Sequence, residues 1–145
     1  MIALLQRVRQ ASVEVGQGEI ARINQGLLVF IGIEQGDTLA QAERLLTRLL
    51  AYRIFEDSDG KMNLSLQDIK GGLLLVPQFT LAANTQKGLR PSFASAATPE
   101  LGQRLFDHIC TLASQQHAIV ETGQFSATMQ VSLINDGPAT FWLQV

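Results

Sequence analysis

Gln78, Phe79 and Thr80, in the run "VPQFTLAAN", and Asn135, Asp136, Gly137 and Pro138, in "SLINDGPATFWLQV", are the residues whose types point to chemistry rather than packing. Leu73, Leu74, Leu75 and Val76 read as a strand buried on both faces, and that strand runs straight into Pro77, Gln78 and Thr80. Polar side chains at the end of a buried strand cost free energy unless they meet partners, so such ends often line a site. An edge strand whose exposed end tolerates proline and glutamine accounts for the same residues without a site. In the second stretch a tight turn needs only Asn-Gly or Asp-Gly, so the proline after Gly137 calls for another reason. A cis Gly-Pro bond is accessible at modest cost. It would bring two carbonyls to one side, with no Cβ on the glycine to hold a ligand away. A trans turn between two strands is the alternative.

Other chemistries find no support. His108 and His117 are nine positions apart on or just past one helix, so they do not share a face at one-turn spacing. Both read as surface or helix-end residues, and Cys110, the single cysteine, reads as a small buried or flanking side chain. One cysteine and two histidines make no zinc set. "GQGEIA", from Gly16 to Ala21, matches the dinucleotide fingerprint as a string, but both flanks alternate like strands, so it reads as a hairpin turn. "DSDGKMN" lacks the late acidic ligand of a calcium loop and reads as a solvated turn.

The elements that must position these residues follow from periodicity. "ALLQRV", "ASVEV", "EIARI" and "GLLVFIGIE" read as strands. A helix begins at about Thr38, where Thr38 and Gln41 make a capping box and Leu39, Ala42, Leu45, Leu46, Leu49 and Leu50 recur at helical spacing. "GGLLLVPQFTLA" reads as one buried strand. A second helix opens at Thr98, Pro99 and Glu100, with a capping hydroxyl, a proline at its first position and an acid in its first turn; Leu101, Leu105, Ile109 and Leu112 form its stripe. "AIVETG", "SATMQVSLIN" and "ATFWLQV" complete the chain as strands. The expectation is an α/β fold: residues 1–145 as one mixed domain, β-rich, with two main helices in the order strands, helix, strand, helix, strands.

Composition fits a folded domain: 46% of residues are hydrophobic and 17% charged, which is wrong for a disordered chain. A net charge of −2 argues against general binding along a phosphate backbone, so a nucleic-acid partner has to meet a local patch. The opening "MIALLQRVRQ" has no basic leader, and no apolar run approaches the roughly 20 residues of a membrane span. A soluble cytoplasmic protein is expected, with no membrane partner.

"MIALLQRVRQASVEV", "PQFTLAA", "LRPSF" and "MQVSLINDGPATFWLQV" together resemble the D-aminoacyl-tRNA deacylases, and the resemblance runs from Met1 to Val145. It implies hydrolysis of D-amino acids, and of glycine, wrongly esterified to tRNA. It also implies a homodimer in which the cis Gly-Pro of one subunit enters the other's pocket, excluding any L side chain by contact with backbone. Carried over residue by residue, Gln78 and Thr80 fall in the catalytic motif. Gly137 and Pro138 form the chiral filter. Phe79 reads as a pocket wall or a core residue and Met129 as a neighbouring wall, both of them core candidates on spacing alone, and Arg7 reads either as a brace for the Gly-Pro loop or as a solvated strand arginine. Neither metal nor cofactor is implied, and water attack is assisted by the terminal 2′-hydroxyl of the tRNA. The chain departs from the family where Pro77 replaces the usual serine, removing a hydroxyl and a backbone donor. It departs again at Gln124, which stands for the usual arginine, and at Leu89, which stands for methionine. Two alternatives stay open: an esterase with Thr80 as nucleophile, and a dimeric module that binds tRNA ends or small ligands without turnover.

Overall fold

Parallel strand pairs need long crossovers, and the two helices anticipated from the capping patterns provide them. A computed structural model describes residues 1–145. Strand β1 (Ile2–Val15) pairs antiparallel with β2 (Gly18–Ile23) along its second half and with β3 (Gly26–Gly32) along its first. Helix α1 (Leu39–Ala51) follows, then a small antiparallel pair, β4 (Phe55–Glu56) and β5 (Met62–Leu64), and a single helical turn, α2 (Leu66–Ile69). Strand β6 (Gly72–Pro77) lies parallel to β3, and after helix α3 (Pro99–Gln116) strand β7 (Val120–Thr122) lies parallel to β6. The last strand, β8 (Met129–Gln144), returns to pair with β1 along both of its halves.

Both helix starts form as the sequence implies. Thr38 Oγ1 accepts from the Gln41 backbone N–H at 3.4 Å while Gln41 Oε1 accepts from that of Thr38 at 2.9 Å. Thr98 Oγ1 accepts from the Leu101 N–H at 3.3 Å. Each cap satisfies donors that the first turn leaves without partners, a contribution of about 1 kcal/mol.

Two apolar cores flank the sheet. Leu45, Leu46, Leu49 and Leu50 of α1 and Leu105, Phe106 and Ile109 of α3 pack on Leu27, Val29, Ile31, Leu73 and Leu75. Leu28, Leu74 and Val76 point the other way, against Val8, Ala11, Val13, Ala21 and Ile23. Alternate residues of β3 and β6 therefore serve opposite cores. That explains why both read as unbroken apolar runs.

The structure differs from the sequence expectation in three places. The run expected as one strand over "GGLLLVPQFTLA" ends at Pro77, and Phe79–Ala82 form a 3₁₀ turn. Only one more ladder bond follows Pro77, from the Gln78 N–H to Ile31 O, because β3 itself ends at Gly32. Leu39, placed on the apolar stripe of α1, is 43% exposed, because the first residue of the helix lies beyond the packed turns. Finally, "ALLQRV" and "ASVEV" fuse into one strand, as do "SATMQVSLIN" and "ATFWLQV", although Ser126, Ala127 and Thr128 stay outside the strand, which starts at Met129. Long antiparallel pairing of β1 with β8 carries both through their polar interruptions.

Candidate active site

A cleft of about 480 Å³ opens at the C-terminal ends of β3 and β6, where α3 begins. Crevices outside the carboxyl ends of parallel strands are the usual ligand sites of such sheets. Ile31 and Ile33 form its floor, and Pro77, Gln78 and Phe79 enter from the end of β6. Thr98 and Gly102 contribute from the start of α3, and Phe125, Ser126, Thr128, Met129 and Val131 from the approach to β8. No carboxylate, imidazole, thiol, ammonium or guanidinium lines it.

Gln78 is placed by the sheet. Its backbone N–H donates to Ile31 O at 2.8 Å, extending the parallel ladder by one bond past Pro77. Gly32 makes the following turn possible, since a Cβ there would stand 2.8 Å from Leu81 Cβ. Gln78 Nε2 donates to Thr80 Oγ1 at 2.6 Å, which fixes the amide's orientation and leaves its carbonyl oxygen for another partner. Thr80 is itself exposed and does not line the cleft. Phe79 lines it and remains 60% exposed, its ring edge-on to Phe93 with centroids 5.2 Å apart. Met129 also lines the cleft, and its sulfur accepts a weak bond from the Gln124 backbone N–H at 3.4 Å. The structure therefore brings Gln78, Phe79 and Met129 to one cleft, and leaves Thr80, expected beside Gln78 in the catalytic motif, outside its lining.

Gly137 and Pro138 lie elsewhere, and neither lines this cleft in the same chain. β1 and β8 are in register at Gln6↔Thr140 and again at Val8↔Asn135. Between those pairs β1 supplies only Arg7 while β8 supplies residues 136–139, so the Gly137-Pro138 unit bulges from a continuous strand rather than closing a hairpin. The Gly137-Pro138 bond is cis. Arg7, its side chain only 7% exposed, holds the base of the bulge. Its Nε donates to Asp136 O at 2.9 Å, Asp136 Oδ2 lies 3.3 Å away, and its Nη1 donates to Ile54 O at 2.7 Å. Asn135 Nδ2 bonds the carbonyls of Arg7 and Ala139, both at 3.2 Å. A Cβ on Gly137 would run into Asn135 Oδ1.

A model of the family described as D-Tyr-tRNA(Tyr) deacylase matches residues 4–144. The chain belongs to that family. It is 61% identical over 145 residues to a D-aminoacyl-tRNA deacylase of Thioalkalivibrio sulfidiphilus, covering 100% of this chain and 97% of the relative. It is 58% identical over 150 residues to a D-aminoacyl-tRNA deacylase of Burkholderia vietnamiensis, covering 100% and 99%. Among solved structures, one described as c-Myc DNA unwinding element binding protein superposes with a TM-score of 0.95 at 35% identity, covering 100% of this chain and 99% of that one. A probable eukaryotic D-amino acid tRNA deacylase shares the fold, with a TM-score of 0.84 at 18% identity over 99% and 98% of the two chains.

Within this deacylase-family chain the two histidines are committed to structure. His108 Nε2 lies 3.2 Å from Glu43 Oε1 across the α1–α3 contact, and His117 ends α3 with Nε2 2.6 Å from Gly71 O. Burial, aided by the Asp107 carboxylate, pushes the Cys110 thiol up to about 12, so it stays protonated at neutral pH. Sequence reasoning missed three hydroxyls of the cleft. Thr98 is visible only as a helix cap, and Ser126 and Thr128 only as loop residues. Ser126 has a left-handed backbone (φ +59°), a conformation that side chains seldom adopt and that nothing in its sequence context announces. No helix is long and apolar enough to cross a membrane.

Proposed function

We propose that this chain hydrolyses the ester bond of D-aminoacyl-tRNA, and of glycyl-tRNA, while sparing L-aminoacyl-tRNA. The observation that carries the chemistry is the cleft beside Gln78, polar only through an amide, hydroxyls and backbone and without any ionisable side chain. A protein nucleophile needs an adjacent base, and neither histidine is within the lining. Water therefore attacks the ester carbonyl with the terminal 2′-hydroxyl of the tRNA assisting. The bond to the 3′-oxygen breaks, that oxygen takes up a proton, and free amino acid and tRNA leave. Gln78 and nearby backbone N–H groups orient and polarise the ester, while Thr80 holds the Gln78 amide.

Selection against L-residues is assigned to Gly137 and Pro138 of a second copy. The support is positional: the unit stands outside its own chain's cleft and is fastened by Arg7 and Asn135. β8 pairs only with β1, so a 16-residue strand offers an open edge, with Ile134 (49%) and Trp142 (53%) exposed along it. Such an edge is a template for another chain. Backbone pressed against the position of the L side chain rejects it whatever its chemistry, and cannot reject glycine.

Purified protein mixed with D-tyrosyl-, L-tyrosyl- and glycyl-tRNA tests the reading by release of free amino acid. Loss of the D- and glycyl-esters with the L-ester intact is expected, from a species of twice the chain's mass in light scattering. Equal cleavage of the L- and D-esters refutes the filter. RNA binding with no cleavage of any substrate favours the non-catalytic module.

A further inference from the structure

Between residues 69 and 99 the chain carries Lys70, Lys87 and Arg90 and no acidic residue, although its net charge is −2. Lys87 and Arg90 sit at the tip of a closed loop. Asn84 N–H donates to Ser92 O at 2.8 Å and Ser92 N–H to Asn84 O at 3.0 Å, while the Gln86 N–H is held by Asn84 Oδ1 at 2.9 Å. The returning leg is tied to the scaffold by Gln35, whose side chain donates to Ala94 O at 2.7 Å and whose backbone N–H donates to Ser95 O at 2.9 Å. Lys87 and Arg90 are exposed and have no acidic partner within ion-pair distance. The base of the loop ends in Phe93, 43% exposed, whose ring meets that of Phe79 at the cleft's rim. Two unpaired cations beside an exposed aromatic pair are the two components of a single-stranded nucleic-acid track: charge for phosphates and a flat apolar surface for a base.

We propose that the loop from Asn84 to Phe93 carries the unpaired 3′ end of the RNA as it leaves the cleft, with Lys87 and Arg90 on phosphates and the Phe79–Phe93 pair under a base. This rests on the proposed ester substrate, because an ester on the terminal ribose in the cleft obliges the preceding nucleotides to cross the rim. It also resolves how a chain of negative net charge meets RNA. The footprint is local, and the acids lie outside it.

The test uses the double variant Lys87→Ala/Arg90→Ala, with Lys87→Arg/Arg90→Lys as the charge-preserving control. The binding probe is a fluorescently labelled single-stranded RNA ending in CCA, and the kinetic probes are D-tyrosyl-tRNA and the phosphate-free ester D-tyrosyl-adenosine. Removing two single-strand phosphate contacts lowers RNA affinity on the order of tenfold at low salt and flattens the slope of log K against log salt by about 1.4. The same variant raises KM for D-tyrosyl-tRNA by a similar factor with kcat within about twofold, and the effect on the phosphate-free ester is at least several-fold smaller. The charge-preserving control restores affinity and slope. Unchanged affinity and slope overturn the proposal. So does an equal KM rise on both esters, or a variant that loses RNA binding only because it has become monomeric, which would make the loop an interface between copies. If the parent binds the RNA in this loop-dependent way but cleaves no ester, the deacylase reading falls and the loop assignment stands. If the parent cleaves and the double variant is indistinguishable from it, the loop assignment alone falls.

Discussion

Arg7 gives the most direct test of how the bulge is held. It is nearly buried, and its guanidinium bridges two segments that the sheet does not join, the carbonyl of Asp136 and that of Ile54. A hydrogen bond from a charged donor contributes about 1.5–3 kcal/mol net. The Asp136 carboxylate is partly in water and adds little more. Arg7→Met keeps most of the volume but removes both donors, so a loss of about 3–4 kcal/mol is expected, a large share of the roughly 5–15 kcal/mol that holds a domain of this size. Arg7→Lys separates fold from site. A single ammonium reaches one carbonyl but not both in the fork geometry, so about half of that stability returns while the bulge stays loose. Urea unfolding of both variants gives the stability term, and the rate ratio for D- over L-tyrosyl-tRNA gives the site term. For Arg7→Lys the ratio should fall by at least tenfold at temperatures where the protein remains folded. A folded Arg7→Lys protein with the parent's ratio would refute the idea that Arg7 positions Gly137 and Pro138.

Thr80→Ala should retain substantial deacylation, because its hydroxyl only steadies the Gln78 amide, whereas tRNA with a 2′-deoxy terminus should be cleaved very slowly; single-turnover assays decide both. Gly137→Ala drives a methyl into Asn135 Oδ1 and disturbs the bonds from Asn135 to Arg7 and Ala139. D-ester cleavage should drop steeply while the melting temperature moves by only a few degrees, and an active Gly137→Ala enzyme would contradict the placement. The Ser65 backbone N–H and hydroxyl hold the Asp68 carboxyl below its ordinary 3.8. A lowered folded value means that this contribution is present in full above pH 3.8 and is lost as pH falls through the lower folded value. The stability gap between parent and Asp68→Asn should therefore be constant near neutrality and close in that acid window, as acid unfolding curves will report.

Helices were legible because their signals are local. The reciprocal bonds of Thr38 and Gln41, and the Thr98-Pro99-Glu100 start, lie within one turn of sequence, and both caps form as read. The sheet was legible in parts but not in its joins. "QRVRQ" looks like the end of a strand because its arginines break the apolar run, yet β1 continues through it. The break is absorbed by the bulge opposite Arg7, which depends on residues more than 120 positions away. The 3₁₀ turn after Pro77 is likewise set by where β3 stops, a fact about another strand.

The same distinction governs the site. Gln78 stood out because a polar residue follows a strand buried on both faces, and the structure does put it in the cleft with Phe79 and Met129. Thr98, Ser126 and Thr128 did not stand out, since a hydroxyl at a helix cap or in a loop has a sufficient local reason to be there. Motif reading looks first for histidine, cysteine and paired carboxylates, and this cleft contains none. On the proposed mechanism that is the expected composition. When the substrate's own hydroxyl supplies the assistance, the protein's part is to orient an ester and exclude a side chain, and amide, backbone and proline suffice for both. On the same proposal the Gly-Pro unit acts in the cleft of a second copy, and this agrees with the absence of Gly137 and Pro138 from the lining of their own chain's cleft.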